Sequence, residues 1–349
     1  MQQIWIPRIG NPDVLEVRQS ESPSPGPGEV HVEVVASGVN FADLMARMGL
    51  YPDAPPLPAV VGYEISGRVI GLGEGAENAA GGLAIGDPVV AMCRFGAYSS
   101  EVVVPGEQIA KVPEGMDLLT AAGIPVTGLT AWIMLEVMGR VRAGDRVLVH
   151  SAGGGVGLMA LDLLRWRGAT AIGTASAGKH EQLRELGYDQ LIDYRNEDFA
   201  AVLRDQPGLD LILDPVGGES WEKGLSLLRA GGRLVCYGMS ANATGDSRSL
   251  LSVARSMWAV PWRKINPITL MNENKGVMGV NMGHMWHERE RVGGWLRELM
   301  ALWQQGVLRP HIHAKIPFAE ASRAHALIHA RENFGKILLV TDPADATPA

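Results

Sequence analysis

Apolar positions change rhythm near residue 120. Before it they come in short runs cut by turn residues: GEVHVEVVASGV (28–39) alternates apolar with polar, IAKVP (109–113) is brief, and YPDAPPLPAVVGYEISGRVIGLGEG (51–75) is dense in proline and glycine. Such a profile predicts a β-rich, barrel-like domain. TAAGIPVTGLTAWIMLEVMGRV (120–141) reads as two helices. From there β-branched and aliphatic runs alternate with helical spacing: strands at 146–152, 169–176, 190–194, 210–216 and 232–238, helices at 156–166, 178–186, 197–204 and 219–228. Regular alternation at this spacing predicts βαβ units in a parallel, doubly wound sheet. The tail from about 315, IPFAEASRAHALIHARENFGKILLV, adds one helix and one strand and is expected to return to the first domain.

The first strand-to-helix turn of the alternating region holds Ala152-x-Gly154-x-x-Gly157. A small first residue permits a tight turn, Gly154 lets the backbone approach a pyrophosphate, and Gly157 lets helix and strand pack closely. With Gly155 and Val156, the helix N-terminus then offers free N–H groups to phosphate. The next strand indicates which dinucleotide. A binder of unphosphorylated ribose places a carboxylate about 20 residues on, but here stand Ala175 and Ser176, and the first acidic residue beyond is Glu181. Ser176, Lys179 and Tyr194 are instead expected to hold a 2′-phosphate, with lysine as the point charge, which reads as NADPH. Gly173-TASA-Gly178-Lys179 imitates a triphosphate-binding loop but ends in His180, without the hydroxyl that would ligate Mg²⁺.

Composition adds limits. The 349 residues are 46% hydrophobic and 20% charged, as for a globular chain with ample core, and the net charge of −7 gives no reason to expect nucleic acid. Cys93 and Cys236 are far apart, which fits a reducing compartment. No signal-peptide-like or membrane-spanning apolar stretch is found, so a cytoplasmic protein is expected.

HSAGGGVGL (150–158), PVTGLTAW (125–132), GVNFADLMARMGLYP (38–52), LPAVVGYEISGRV (57–69) and NFGKILLV (333–340) together resemble the zinc-free quinone oxidoreductase group of the medium-chain dehydrogenase/reductase superfamily. NENKGVMGVNMG (272–283) most resembles the branch containing the vesicle amine transport protein homologues. The resemblance implies an α/β fold with a GroES-like β-rich domain (1–122), a Rossmann NADPH-binding domain (123–312), a C-terminal return (313–349), and a cofactor held between the two domains. It also implies contacts to the nicotinamide half from Thr127, Gly238 and Ser240, closure over the cofactor by Asn333 and Gly335, and a homodimer formed through the last Rossmann strand near Val277 to Asn281.

Zinc-dependent relatives carry cysteine where this chain has Asn40 and histidine where it has Tyr63, so no metal is expected. The pairs His284/His287, His311/His313 and His325/His329 lack a third donor in a convincing motif. Without a Lewis acid, a neutral pocket suits hydride addition to an electron-poor acceptor, a quinone or an α,β-unsaturated carbonyl, with Asn40, Tyr51 and Tyr63 as candidate donors to the oxygen that gains charge. Asp43 is expected to cap a helix at 43–48. The segment 247–275, with Met257, Trp258, Trp262 and Met271, reads as an apolar lid, as dimer packing or as membrane contact. Two alternatives stay open: an enoyl-thioester reductase, for which only Arg263-Lys264 suggests a phosphopantetheine contact, and a non-enzymatic NADPH-binding protein at a membrane surface.

Overall fold

The computed structural model describes residues 1–240, 265–345 and 347. In chain order it contains β1 (Gln2–Ile6), β2 (Glu16–Gln19), β3 (Glu29–Val39), α1 (Phe41–Arg47), β4 (Ala59–Val60), β5 (Glu64–Leu72), β6 (Pro88–Met92), β7 (Glu101–Pro105), β8 (Ile109–Lys111), α2 (Leu118–Ala121) and α3 (Pro125–Trp132). Five strand–helix steps follow: β9 (Arg146–Val149), α4 (Gly155–Arg167), β10 (Thr170–Ala175), α5 (His180–Leu186), β11 (Gln190–Asp193), α6 (Phe199–Leu203), β12 (Leu209–Asp214), α7 (Glu219–Leu227), β13 (Leu228–Cys236), α8 (Pro267–Glu273) and β14 (Gly276–Gly279). The chain ends with α9 (Arg289–Gln304), β15 (Ile312–Pro317), α10 (Ala321–His329) and β16 (Lys336–Val340). Contacts divide it into a first unit, Met1–Leu129 with Met282–Ala349, and a second, Thr130–Asn281.

In the first unit the main sheet runs β15-β16-β3-β5-β6-β8, with β7 also on β3, and a small sheet runs β2-β1-β4. Val30, Val32, Val34, Ile65, Val69, Val89 and Ile109 form one core under it. The alternation expected of β3 is incomplete: His31 is buried between Val30 and Val32, its ring 3.0 Å from the Glu101 carboxylate. From Ala36 to Val39 every residue is buried, because β16 pairs alongside and α2 packs against this strand. The tail enters this sheet through β16, which sets Ile337 opposite Val39 and is buried at all five positions.

The second unit is an all-parallel sheet in the order β11-β10-β9-β12-β13-β14. Numbered within the unit this is 3-2-1-4-5-6, the doubly wound order whose ligands lie beyond the carboxyl ends of the strands. Its core is Leu148, Ile172, Ile192, Leu209, Ile212, Leu225 and Leu234. Strand β13 starts at Leu228, ahead of the expected 232, because Leu228 pairs with Leu209 before a register irregularity. Gly168, at φ +71°, ends α4 in the left-handed conformation that glycine adopts without penalty. Among the described residues no helix is long and apolar enough to cross a membrane.

Candidate functional site

Two groups of candidate residues emerge, one in each unit. In the first unit Glu64, at the head of β5, is completely buried, and its carboxylate organises three segments. Oε1 accepts from Asn40 Nδ2 (2.8 Å) and pairs with the Lys336 ammonium, and Oε2 accepts from the Val126 N–H (2.7 Å). Lys336 Nζ also donates to Asn40 Oδ1 (2.6 Å), and the remaining Asn40 amide contact is a long bond to the Gly38 carbonyl (3.3 Å). Both ends of the Asn40 amide are therefore engaged inside the protein. A Cβ at Gly38 would collide with the Glu64 carboxylate and come within 2.7 Å of Lys336 Cε, so only glycine fits beneath the pair. Glu64 and Lys336 lie within stretches that the resemblance quotes, yet sequence reasoning gave neither a role. A buried charge needs a partner, and one carboxylate and one ammonium in apolar strands were the signal available.

Beside this network lies a group of aromatic rings. Tyr63 sits edge-on to Tyr51 (centroids 6.4 Å apart, 84°), tilted against Phe95 (5.1 Å, 49°) and stacked on Trp286 (6.2 Å, 10°). Its hydroxyl is buried and makes no hydrogen bond of normal geometry. Burial pushes the Tyr63 phenol far up, with the Tyr51 phenol and Asp43 adding to the rise, and burial also raises Tyr51. Both therefore stay protonated at neutral pH and are hydrogen-bond donors. Phe95 holds φ +77°, a conformation unusual for a bulky side chain. Phe95 and Trp286 were not among the residues singled out from sequence.

Asp43 fixes the frame around these groups. Its carboxylate accepts from the Asn40 N–H (2.8 Å), so that Asp43 is the third residue of α1 beneath an Asn40 cap and not the cap of a helix at 43–48, and also from the Gly62 N–H (3.1 Å) and the Tyr98 hydroxyl (3.1 Å). Tyr98 in turn stands 3.1 Å from His325 Nε2. Burial pushes Asp43 up from 3.8 to about 7 and pushes His325 down from 6.5 to about 3. The two contributions to stability have opposite signs. The raised Asp43 favours the fold below about pH 4 and loses that contribution as pH rises to about 7, whereas the depressed His325 favours it above 6.5 and loses it as pH falls towards 3. Each slope is about 1.4 kcal/mol per pH unit, so between pH 4 and 6.5 they nearly cancel. Asp43→Asn is expected to expose a stability that rises with pH over this window, and His325→Gln one that falls, both read from urea midpoints. Parallel profiles in all three proteins would contradict the assignment.

In the second unit the turn from β9 to α4 places Ala152, Gly154, Gly155, Val156 and Gly157 at the carboxyl edge of the sheet. Gly154 is the N-cap and makes no side-chain cap bond, and the first turn of α4 carries no acidic residue. A Cβ on Gly157 would come within 2.5 Å of the Ala152 carbonyl, so α4 packs on its own turn only with glycine there. These features fit a pyrophosphate on the helix N-terminus. Strand β10 ends at Ala175, followed by Ser176, the N-cap of a 3₁₀ turn (Ala177–Lys179). Lys179 interacts electrostatically with Tyr194 and with Arg195, a cation not named from sequence. Burial and Arg195 lower the Lys179 pKa while Tyr194 raises it, and Tyr194 is 40% exposed. Gly238 and Ser240 lie just past β13, the Ser240 N–H donating to the Pro215 carbonyl (2.8 Å) beyond β12, so they share this edge.

Thr127, Asn333 and Gly335 belong to the first unit. Thr127 is buried and donates its hydroxyl to the Gly123 carbonyl (2.7 Å). Asn333 Nδ2 donates to the Gly335 carbonyl (2.8 Å) directly before Lys336. His284 pairs with Asp53, and His325 with Tyr98. Met257, Trp258, Trp262, Arg263 and Lys264 lie outside the described residues; Met271 is exposed on α8.

The second unit's strand order and glycine turn define a Rossmann-type dinucleotide-binding unit, here joined to a β-rich unit whose sheet the C-terminal tail enters. Residues 26–114 match the family model for the alcohol dehydrogenase GroES-like domain, and residues 186–339 the model described as zinc-binding dehydrogenase. Human synaptic vesicle membrane protein VAT-1 homolog is 39% identical over 332 residues, covering 94% of this chain and 83% of that protein. Among solved structures, the human VAT-1 homolog-like protein aligns with TM-score 0.83 and 31% identity, covering 100% of this chain and 99% of that one. Escherichia coli quinone oxidoreductase complexed with NADPH aligns with TM-score 0.83 and 29% identity, covering 97% and 100%. The chain belongs to the medium-chain dehydrogenase/reductase superfamily, in its zinc-free quinone oxidoreductase-like group.

Proposed function

We propose that the protein is an NADPH-dependent reductase that transfers hydride, without a metal, to a quinone or an α,β-unsaturated carbonyl. The observation that carries this reading is the end of β10, which closes on Ser176 without a carboxylate of its own, beside Lys179, Tyr194 and Arg195, while Asp193 opposite Ala175 is occupied by the Arg195 N–H and the Asn196 amide. The NADPH in the Escherichia coli quinone oxidoreductase structure supports it. When bound, the reduced nicotinamide supplies the hydride. Ala152, Gly154, Gly155, Val156 and Gly157 would hold the pyrophosphate, with Gly238 and Ser240 along the same edge. Thr127, Asn333 and Gly335 are assigned to the nicotinamide half.

The first unit's residues act on the acceptor. Tyr63 and Tyr51 donate to the carbonyl oxygen as it gains negative charge, a role that protonated phenols in a desolvated site perform well. Asn40, held at both amide ends, organises the site. For a quinone, addition of hydride gives the hydroquinone monoanion, and one proton from water then gives the neutral hydroquinone. The test is loss of NADPH absorbance with a panel of quinones and enones. Tyr63→Phe is expected to lower kcat about 100-fold with little change in KM, as for loss of one preorganised donor; an unchanged kcat removes Tyr63 from the mechanism.

The vesicle-membrane name of the 39% identical relative favours a second reading, a dinucleotide-binding protein at a membrane surface. Co-sedimentation with liposomes in the absence of reductase activity on every acceptor would select it. A homodimer would use β14, the last strand of the parallel sheet, whose outer edge is unpaired among the described residues.

A further inference from the structure

Trp286 reaches the candidate acceptor site from a segment of the chain that carries none of its other residues. It lies in the turn before α9, half-buried, with its ring 10° from parallel to that of Tyr63 and 6.2 Å away. Two positions earlier, His284 Nε2 meets Asp53 Oδ2 at 2.7 Å, a contact between residues 231 positions apart that ties the Trp286 turn to the loop bearing Tyr51. Phe95 supplies another ring from a left-handed backbone position, a strained conformation of the kind that surrounding structure must impose. Around Tyr63, rings therefore stand at 10°, 49° and 84° to its plane, and the hydroxyl they enclose is buried beside the Tyr51 phenol without a hydrogen bond of normal geometry. A buried donor without a well-formed hydrogen bond costs stability, and a ligand oxygen accepting from the Tyr51–Tyr63 pair would complete it.

We propose that Trp286 is a specificity-determining residue: with Tyr51, Tyr63 and Phe95 it walls the acceptor site in aromatic rings and selects flat aromatic quinones over acyclic enones and enoyl thioesters. The inference rests on the reading of the first unit as the acceptor site. Its physical basis is that rings offered in several orientations give a planar aromatic guest both stacked and edge-to-face contacts, which an acyclic chain cannot reproduce. The His284–Asp53 pair is exposed, with side chains 62% and 34% accessible, so it holds the wall weakly enough to part and admit a guest.

The experiment compares Trp286→Leu, which removes the ring, Trp286→Phe, which keeps one, and Trp166→Leu, a partly exposed tryptophan of α4 in the second unit, as control. The readout at saturating NADPH is kcat/KM for a two-ring naphthoquinone divided by kcat/KM for an acyclic enone. Trp286→Leu is expected to lower this ratio about tenfold, Trp286→Phe by less than about threefold, and Trp166→Leu not at all. A ratio unchanged in Trp286→Leu, or lowered equally in Trp286→Phe, overturns the proposal. Equilibrium dialysis of the naphthoquinone against the cofactor-free protein separates the two levels of inference. If no acceptor is reduced, yet wild type binds the quinone about tenfold more tightly than Trp286→Leu, the reductase reading fails and the aromatic site stands. Equal binding in the two proteins, or none in wild type, overturns the site.

Discussion

Replacing Lys336 with methionine is expected to destabilise the protein by about 3–5 kcal/mol, the effect of leaving a buried charge without its partner. Glu64 is fully buried and Lys336 4% exposed, so water does not compensate the carboxylate when the ammonium is gone. What remains are the Asn40 amide and the Val126 N–H, two neutral donors for one charge. The pair is not expected to be a net source of stability, because taking both ions out of water is itself costly. The double variant Glu64→Gln/Lys336→Met should therefore recover much of the loss, and urea denaturation of the two single variants and the double would measure the coupling. Additive losses would mean that the two side chains do not depend on each other. The same substitution releases Asn40 Oδ1, so the double variant, though stable, is expected to show reduced turnover with Asn40 no longer held at both ends.

The Lys336 contact also marks the boundary of what the sequence made legible. The alternation of strands and helices from 146 onward needed no knowledge of pairing, because a parallel sheet covered on both faces leaves continuous apolar runs between turn residues. The glycine turn was equally local, since its three functions depend on residues within one strand–helix junction. The first unit is built from contacts between distant segments. Lys336 and Asn40 are 296 positions apart and His284 and Asp53 231, and no periodicity connects either pair. Hence Tyr51 and Tyr63 could be nominated one at a time while Trp286, which lies against Tyr63, went unnoticed. Strand β3 shows the same limit: its polar position His31 is buried against Glu101 of β7, and what covers Ala36 to Val39 arrives from residues 118–121 and 336–340.

The second large effect is expected at the end of β10, where Lys179→Ala should raise KM for NADPH about 30-fold and leave that for NADH within about threefold. A charge-assisted hydrogen bond contributes roughly 1.5–3 kcal/mol, about 10- to 150-fold in affinity, and only the phosphorylated dinucleotide has the group to receive it. Lys179 is the stronger determinant because it is partly buried and interacts favourably with Tyr194, while the neighbouring like charge of Arg195 leaves both cations in want of an anion. Arg195 is exposed, so Arg195→Ala should cost less and lose its effect as salt is added. Ser176→Asp carries the argument further: it sets a carboxylate just past the second strand of the sheet, where binders of unphosphorylated ribose place theirs, repelling the 2′-phosphate while accepting from a 2′-hydroxyl. Combined with Lys179→Ala it should reverse the preference towards NADH, measured by initial rates with each dinucleotide against one quinone. Equal losses for both dinucleotides in Lys179→Ala would assign the lysine to the fold of this loop, and a wild type that prefers NADH would remove the phosphate site altogether.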